Sequence, residues 1–121
     1  METFRIIYAN SLEEIDFDNF GNHFSSNEDA ISKYFATGSS IAINGQDNEG
    51  KEMFFFVVEI NERDINTEAT EISNTEHPDE YEVVMNVNSE VKITEVYNEA
   101  QEIIASDIEA NTGTRIDEWV K

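Results

Sequence analysis

The chain contains no cysteine, one proline and only seven lysine and arginine residues among its 121 residues. Without cysteine there can be neither a disulfide framework nor a thiolate metal site, and we expect an intracellular protein. No apolar run approaches the roughly 20 residues of a membrane span, and the N-terminus lacks the basic and apolar blocks of a signal peptide. These absences predict a soluble, cytoplasmic protein that does not associate with membranes.

Acidic residues, in contrast, are abundant along the whole chain. The 27 Asp and Glu side chains give a net charge of −20. Such a charge repels nucleic acid and attracts basic partners. We therefore predict a protein target with a basic surface and no direct nucleic-acid binding. The hydrophobic fraction of 39%, with eight Phe, can fill one core, and we expect a single domain over residues 1–121.

The order of predicted elements is mixed α+β, with strands in the majority. Alternating and β-branched runs predict strands over residues 3–9, 39–44, 52–60, 81–88 and 91–96, with a short extended piece at 21–26. Two strand pairs have the character of hairpins, through the loops 45–51 and 88–90. The run 54–58 is apolar on both faces, which indicates a central strand.

Helices are predicted at three places. Ser11 and Glu14 have the spacing of a capping box over one short turn. A helix is expected around residues 30–35. A C-terminal amphipathic helix, with Trp119 available as an anchor beyond it, follows from apolar residues at helical spacing, namely Tyr97, Ala100, Ile103, Ile104 and Ile108. The polar segment 61–79 is predicted to be a functional or mobile loop.

Motifs for common chemistry are few. His23 and His77 are the only histidines and have no metal-ligand spacing, so we expect ordinary polar positions and no metal site. The five glycines are isolated, and neither GxGxxG nor GxxxxGK occurs. The absence of these motifs excludes nucleotide hydrolysis of the P-loop type.

One constellation of separated residues does suggest chemistry: Arg5 on the first strand, Ser25 and Ser26 after a glycine, and Glu80-x-Glu82 entering a later strand. Alternate residues of a strand share a face, so we predict that Glu80 and Glu82 lie side by side. Carboxylates stabilise the oxocarbenium-like transition state of glycosidic cleavage and orient the nucleophile. Arginine suits a pyrophosphate, and a serine hydroxyl can fix the glutamate or a ribose.

These motifs, in this order, resemble the arginine–serine–glutamate branch of the mono-ADP-ribosyltransferase family. The matching text is Phe4-Arg5, the run 21–26, and His77-Pro78-Asp79-Glu80-Tyr81-Glu82-Val83-Val84. The resemblance covers roughly residues 4 to 96. It implies an ADP-ribosyltransferase-like fold, in a minimal or degenerate member, with NAD as substrate and a protein side chain, preferably arginine, as acceptor.

The resemblance also implies a role for each residue of the constellation. Arg5 would bind the NAD phosphates, and Ser25 and Ser26 would support the cofactor. Glu82 would be the catalytic glutamate, assisted by Ser25, and Glu80 would position the acceptor.

A second hypothesis belongs to a different class. The chain could be a non-catalytic acidic protein that mimics DNA charge and inhibits a nuclease or a host-defence complex by covering its basic surface. Motif order favours the transferase, whereas composition favours the inhibitor. Loss of turnover in Glu82→Gln with the fold intact would distinguish the first. Tight, steeply salt-dependent association that tolerates this substitution would distinguish the second.

Overall fold

The computed structural model describes residues 1–29 and 50–114, whose strands form one six-stranded antiparallel sheet. Its order across the sheet is β4-β2-β1-β3-β5-β6. An α-helix, α1 (Thr67–Glu76), packs against β4. The strands are β1 (Glu2–Ala9), β2 (His23–Ser25), β3 (Glu52–Glu59), β4 (Glu82–Val84), β5 (Glu90–Tyr97) and β6 (Ile103–Asn111). The prediction of a strand-rich α+β class is confirmed.

Alternation along the strands gives the sheet two faces, which we name after two neighbouring residues of β3. The Phe56 face carries the larger core, in which Phe20 from the loop after β1 packs edge-on against Phe56 with ring centroids 5.0 Å apart. The Phe55 face carries a smaller cluster with Phe4 and Met53. Residues 53–58 are buried on both faces, as predicted for a central strand.

The predicted C-terminal amphipathic helix is wrong, because residues 103–111 form strand β6 along β5. The pairing of β3 with β5 shifts register between Val57 and Val58. Ile93 and Val96, three apart in β5, therefore both lie on the Phe56 face, and so do their partners Ile108 and Ala105 in β6. Because of this bulge, buried apolar residues in β5 and β6 recur three positions apart instead of the two expected in a strand. A spacing of three is typical of a helix, which explains the wrong prediction.

The predicted loop over residues 61–79 is also wrong, since it contains α1 and a 3₁₀ turn, Glu62–Asp64. The Asn66 side chain begins α1 by accepting a hydrogen bond from the Ala69 N–H at 3.0 Å. The contacts of α1 with the sheet are largely polar, and its residue Ile72 is exposed. The apolar stripe that normally reveals a helix is therefore missing.

The predicted hairpin through residues 88–90 is likewise wrong. Strand β4 pairs with β2 at one edge of the sheet, whereas β5 pairs with β3 and β6 toward the other edge. The turn after Ser11 exists as a 3₁₀ helix, Leu12–Glu14, but the Ser11 side chain makes no capping hydrogen bond.

Several predictions lie outside the described residues: the helix around residues 30–35, the strand 39–44 with most of its hairpin loop, and the anchor at Trp119. Within residues 1–29 and 50–114, no helix is both long and apolar enough to cross a bilayer.

Candidate functional site

Glu82 lies at the start of β4, and its carboxylate is 4% exposed at the contact between the sheet and α1. One carboxylate oxygen, Oε2, accepts a hydrogen bond from the Ser73 hydroxyl of α1 and lies 2.9 Å from His23 Nδ1 of β2. A carboxylate can only accept, so an ionised Glu82 places the hydrogen of the imidazole on Nδ1. The three side chains form a buried polar cluster that joins β2, β4 and α1.

Helix α1 also supplies the hydrogen-bond partners for the outer edge of β4. The Thr70 hydroxyl accepts from the Val84 N–H at 2.9 Å, and the Asn74 amide donates to the Glu82 carbonyl at 3.0 Å. The Asn66 N–H donates to the Val84 carbonyl at 2.8 Å. These bonds occupy the edge positions where another strand would pair, so α1 closes this edge of the sheet.

Ser25 lies directly opposite Glu82 on the neighbouring strand and is buried. Its hydroxyl donates to the Asn27 carbonyl at 3.1 Å and accepts from the Asn27 N–H at 3.2 Å, which shapes the end of β2. Ser26 is exposed, and its hydroxyl donates to the Tyr81 carbonyl at 3.1 Å. The structure thus brings Ser25 and Glu82 together and places Ser26 at the rim.

Arg5 lies on the other face of the sheet. Phe4 is the partner of Ser25 across β1 and β2, so Phe4, Ser25 and Glu82 share the Phe55 face. Arg5 is the partner of Phe56 and shares that residue's face. Its guanidinium lies 5.8 Å from the ring centroid of Phe24 and donates to a main-chain carbonyl of β2. Arg5 and Glu82 therefore do not face one common pocket.

Glu80 is not in the same strand as Glu82. It ends the 3₁₀ turn Pro78–Glu80, and Tyr81 follows in the left-handed region with φ 51°. A strand alternation that includes both glutamates would require extended backbone at this point. The prediction that Glu80 and Glu82 are alternate residues of one strand is therefore wrong.

Sequence reasoning missed the involvement of His23 with Glu82. His23 is 2% exposed, and its ring lies on the same face as Ser25, two residues away on β2. The alternation within residues 21–26 was a usable signal, because it places His23 beside whichever residue lies near Ser25. The contribution of Ser73 had no such signal, since the segment around it was predicted to be a loop.

A different feature lies near the β5–β6 end of the sheet. An open depression of about 870 Å³ is bordered, within the described part of the chain, by five carboxylates, all on exposed residues. Lys92 and the terminal amine of Met1 also lie at its border, and this amine is 2.6 Å from a Glu59 oxygen. We call this feature the acidic depression; its carboxylates belong to Asp18, Glu59, Glu62, Glu90 and Glu109.

No protein-family model, no curated protein and no solved structure matches this chain. In the described part of the chain, no three His, Asp or Glu side chains converge as a metal site.

Proposed function

We propose that this protein is a non-catalytic acidic binder that covers a basic, DNA-contacting surface of another protein. The observation that carries the proposal is the acidic depression, in which five exposed carboxylates border one concave surface of a chain with net charge −20. Exposed carboxylates in this number produce a negative field that steers cationic surfaces into contact.

The geometry around Glu82 gives a further reason to favour a binding function over a catalytic function. The Glu82 carboxylate is enclosed by Ser73, His23 and α1. A dinucleotide could reach this buried carboxylate only after the residues around it had moved. The carboxylates of the acidic depression need no such movement, because they are already in contact with solvent.

Binding to purified nucleases and other proteins with basic DNA-contacting surfaces tests this proposal. Fluorescence anisotropy should show association that weakens at least about tenfold between 50 and 300 mM salt, because screening shortens the range of charge attraction. A double-stranded oligonucleotide should compete, since it needs the same surface. Absence of binding to every such protein at low salt would contradict the proposal.

Two variants with identical net charge locate the binding surface. Both neutralise four exposed glutamates, but only the first changes the acidic depression. Its substitutions are Glu59→Gln, Glu62→Gln, Glu90→Gln and Glu109→Gln. The control substitutions are Glu13→Gln, Glu68→Gln, Glu71→Gln and Glu76→Gln. The depression variant should lose at least about tenfold more affinity than the control. Equal losses would show that net charge matters but the depression does not.

The transferase remains a second proposal, favoured by one observation. Ser25 lies directly opposite Glu82 on paired strands, which is the adjacency that the serine–glutamate resemblance requires. Label transfer from labelled NAD onto proteins of a lysate, with wild type and Glu82→Gln compared at matched folding, tests it. Transfer by the wild type alone supports the enzyme, and no transfer with no NAD binding rejects it.

A further inference from the structure

The two outer edges of the sheet differ in how far other segments cover them. The edge of β4 is closed by side chains and main chain of α1, as described above. Among residues 1–29 and 50–114, the edge of β6 is covered only at its end, where the Asn111 N–H donates to the Phe17 carbonyl at 2.8 Å and the Phe20 N–H donates to the Asn111 carbonyl at 2.9 Å. Across residues 1–29 and 50–114, positions 103–109 of β6 make backbone hydrogen bonds with β5 alone.

Side chains along this stretch of β6 are also accessible. Ile103 and Ile104 are 56% and 42% exposed, and Ser106, Asp107 and Glu109 are exposed. An edge strand with accessible main chain is a template for another strand.

The two sides of this edge differ in chemistry between Ala105 and Glu109. On the Phe56 face, Ala105 and Ile108 continue the apolar rows that begin at Phe56 and Val58. On the Phe55 face, the register aligns Glu59, Lys92 and Glu109 in one row, with an excess of negative charge. A strand added beside β6 would extend both rows. Its alternate side chains would need to be apolar on one face and basic on the other.

We propose that the edge of β6 binds an extended segment of the partner by β-strand addition, and that this segment alternates basic and apolar residues. The inference rests on the proposed function, because it assigns the basic partner a defined mode of binding. Main-chain hydrogen bonds to positions 103–109 provide affinity, and the alternating side chains provide specificity. A second copy of this chain is a poor occupant, since Asp107 and Glu109 of two β6 strands would repel each other.

Three synthetic peptides test strand addition. The first is a ten-residue repeat of Lys-Val. The other two have the same charge, but one is N-methylated at every valine and the other at every lysine. Each methylated peptide loses the N–H donors of one edge only, because successive N–H groups of a strand point to opposite edges. Strand addition uses one edge of the peptide, so one methylated peptide should bind at least about tenfold more weakly and the other should bind as well as the parent.

Amide hydrogen exchange locates the bound peptide on the protein. The parent peptide should slow exchange in residues 103–109 and leave β4 unchanged. The variant Ser106→Lys with Glu109→Lys should weaken binding. Its control, Thr75→Lys with Glu76→Lys at the end of α1, makes the same change in net charge and should retain most of the affinity.

Equal binding of all three peptides would overturn strand addition while leaving charge-driven binding intact. Protection at β4 instead of β6, or no peptide binding at low salt, would also overturn it. The proposed function itself is judged separately, by the binding of whole basic proteins and by the depression variant. Failure of one proposal can therefore be recognised without failure of the other.

Discussion

Removing the Glu82 carboxylate should destabilise the fold more than removing any exposed carboxylate. The Ser73 hydroxyl and the His23 ring each lose their hydrogen bond to it in a site shielded from water. A hydrogen bond to a charged group contributes about 1.5–3 kcal/mol. Because the two bonds share one acceptor they are not additive, and Glu82→Ala should cost about 3–5 kcal/mol. This loss is a large part of the roughly 5–15 kcal/mol that stabilises a typical domain.

Glu82→Gln keeps the shape of the side chain and one oxygen acceptor, so its cost should be smaller, about 1–3 kcal/mol. Urea unfolding followed by far-UV circular dichroism measures both variants, with Glu71→Gln on the exposed side of α1 as the control, expected within about 0.5 kcal/mol of wild type. A double-mutant cycle between Glu82→Gln and Ser73→Ala should show coupling of at least about 0.5 kcal/mol. If Glu82→Ala has the same unfolding midpoint as the control, the buried polar cluster does not stabilise the sheet–helix contact.

The structure also predicts the effects of changes at three other residues. Asn66→Ala removes the cap of α1 and should cost about 1 kcal/mol in urea unfolding; an unchanged midpoint would show that the cap is dispensable. Gly113→Ala should cost more than about 1 kcal/mol, because φ is +86° and a Cβ would lie 2.7 Å from the Asn19 main chain; a neutral result would contradict this crowding. Burial, and then the negative charge of Glu99, raises the pKa of Tyr8. The stabilisation that Tyr8 contributes is therefore complete below the pKa of tyrosine in the unfolded chain, about 10. It declines as the pH rises through the higher pKa of Tyr8 in the folded state. The difference in 295 nm titration between wild type and Tyr8→Phe should show this late ionisation, and a Tyr8 that titrates normally would refute it.

Strands β1 and β3 could be predicted because their β-branched and aromatic residues are packed on both faces of a central sheet. Strand β6 could not, because the register shift between β3 and β5 places Ala105 and Ile108, three residues apart, on the same face of the sheet. Helix α1 was hidden for a different reason, since it contacts the sheet through Ser73, Thr70 and Asn74. Sequence periodicity reports apolar burial and is insensitive to polar contacts of this kind.

The candidate site illustrates the limits of register prediction. Ser25 and Glu82 were predicted to lie near each other, and the register of β2 and β4 places them directly opposite one another. Arg5, from the same constellation, lies on the opposite face of the sheet. A shift of one residue between β1 and β2 would exchange the faces. Residue type and order along the chain contain no information on that shift, because Phe4 and its neighbour Arg5 both fit a strand.

The strand order also determines how the chain can reach its folded state. Among the described strands, β5 and β6 have the shortest connection, a turn in which the Asn98 N–H donates to the Glu102 carbonyl. Strands β1 and β2 are also neighbours both in the sequence and in the sheet, but residues 10–22 separate them. The remaining pairs close longer loops, and β4 must pair with β2 across 56 intervening residues. Loop closure of this length slows folding. The hairpin that offers its outer edge to a partner is therefore the segment best placed to form first, and substitutions in β4 or α1 should accelerate unfolding more than they slow refolding in stopped-flow measurements.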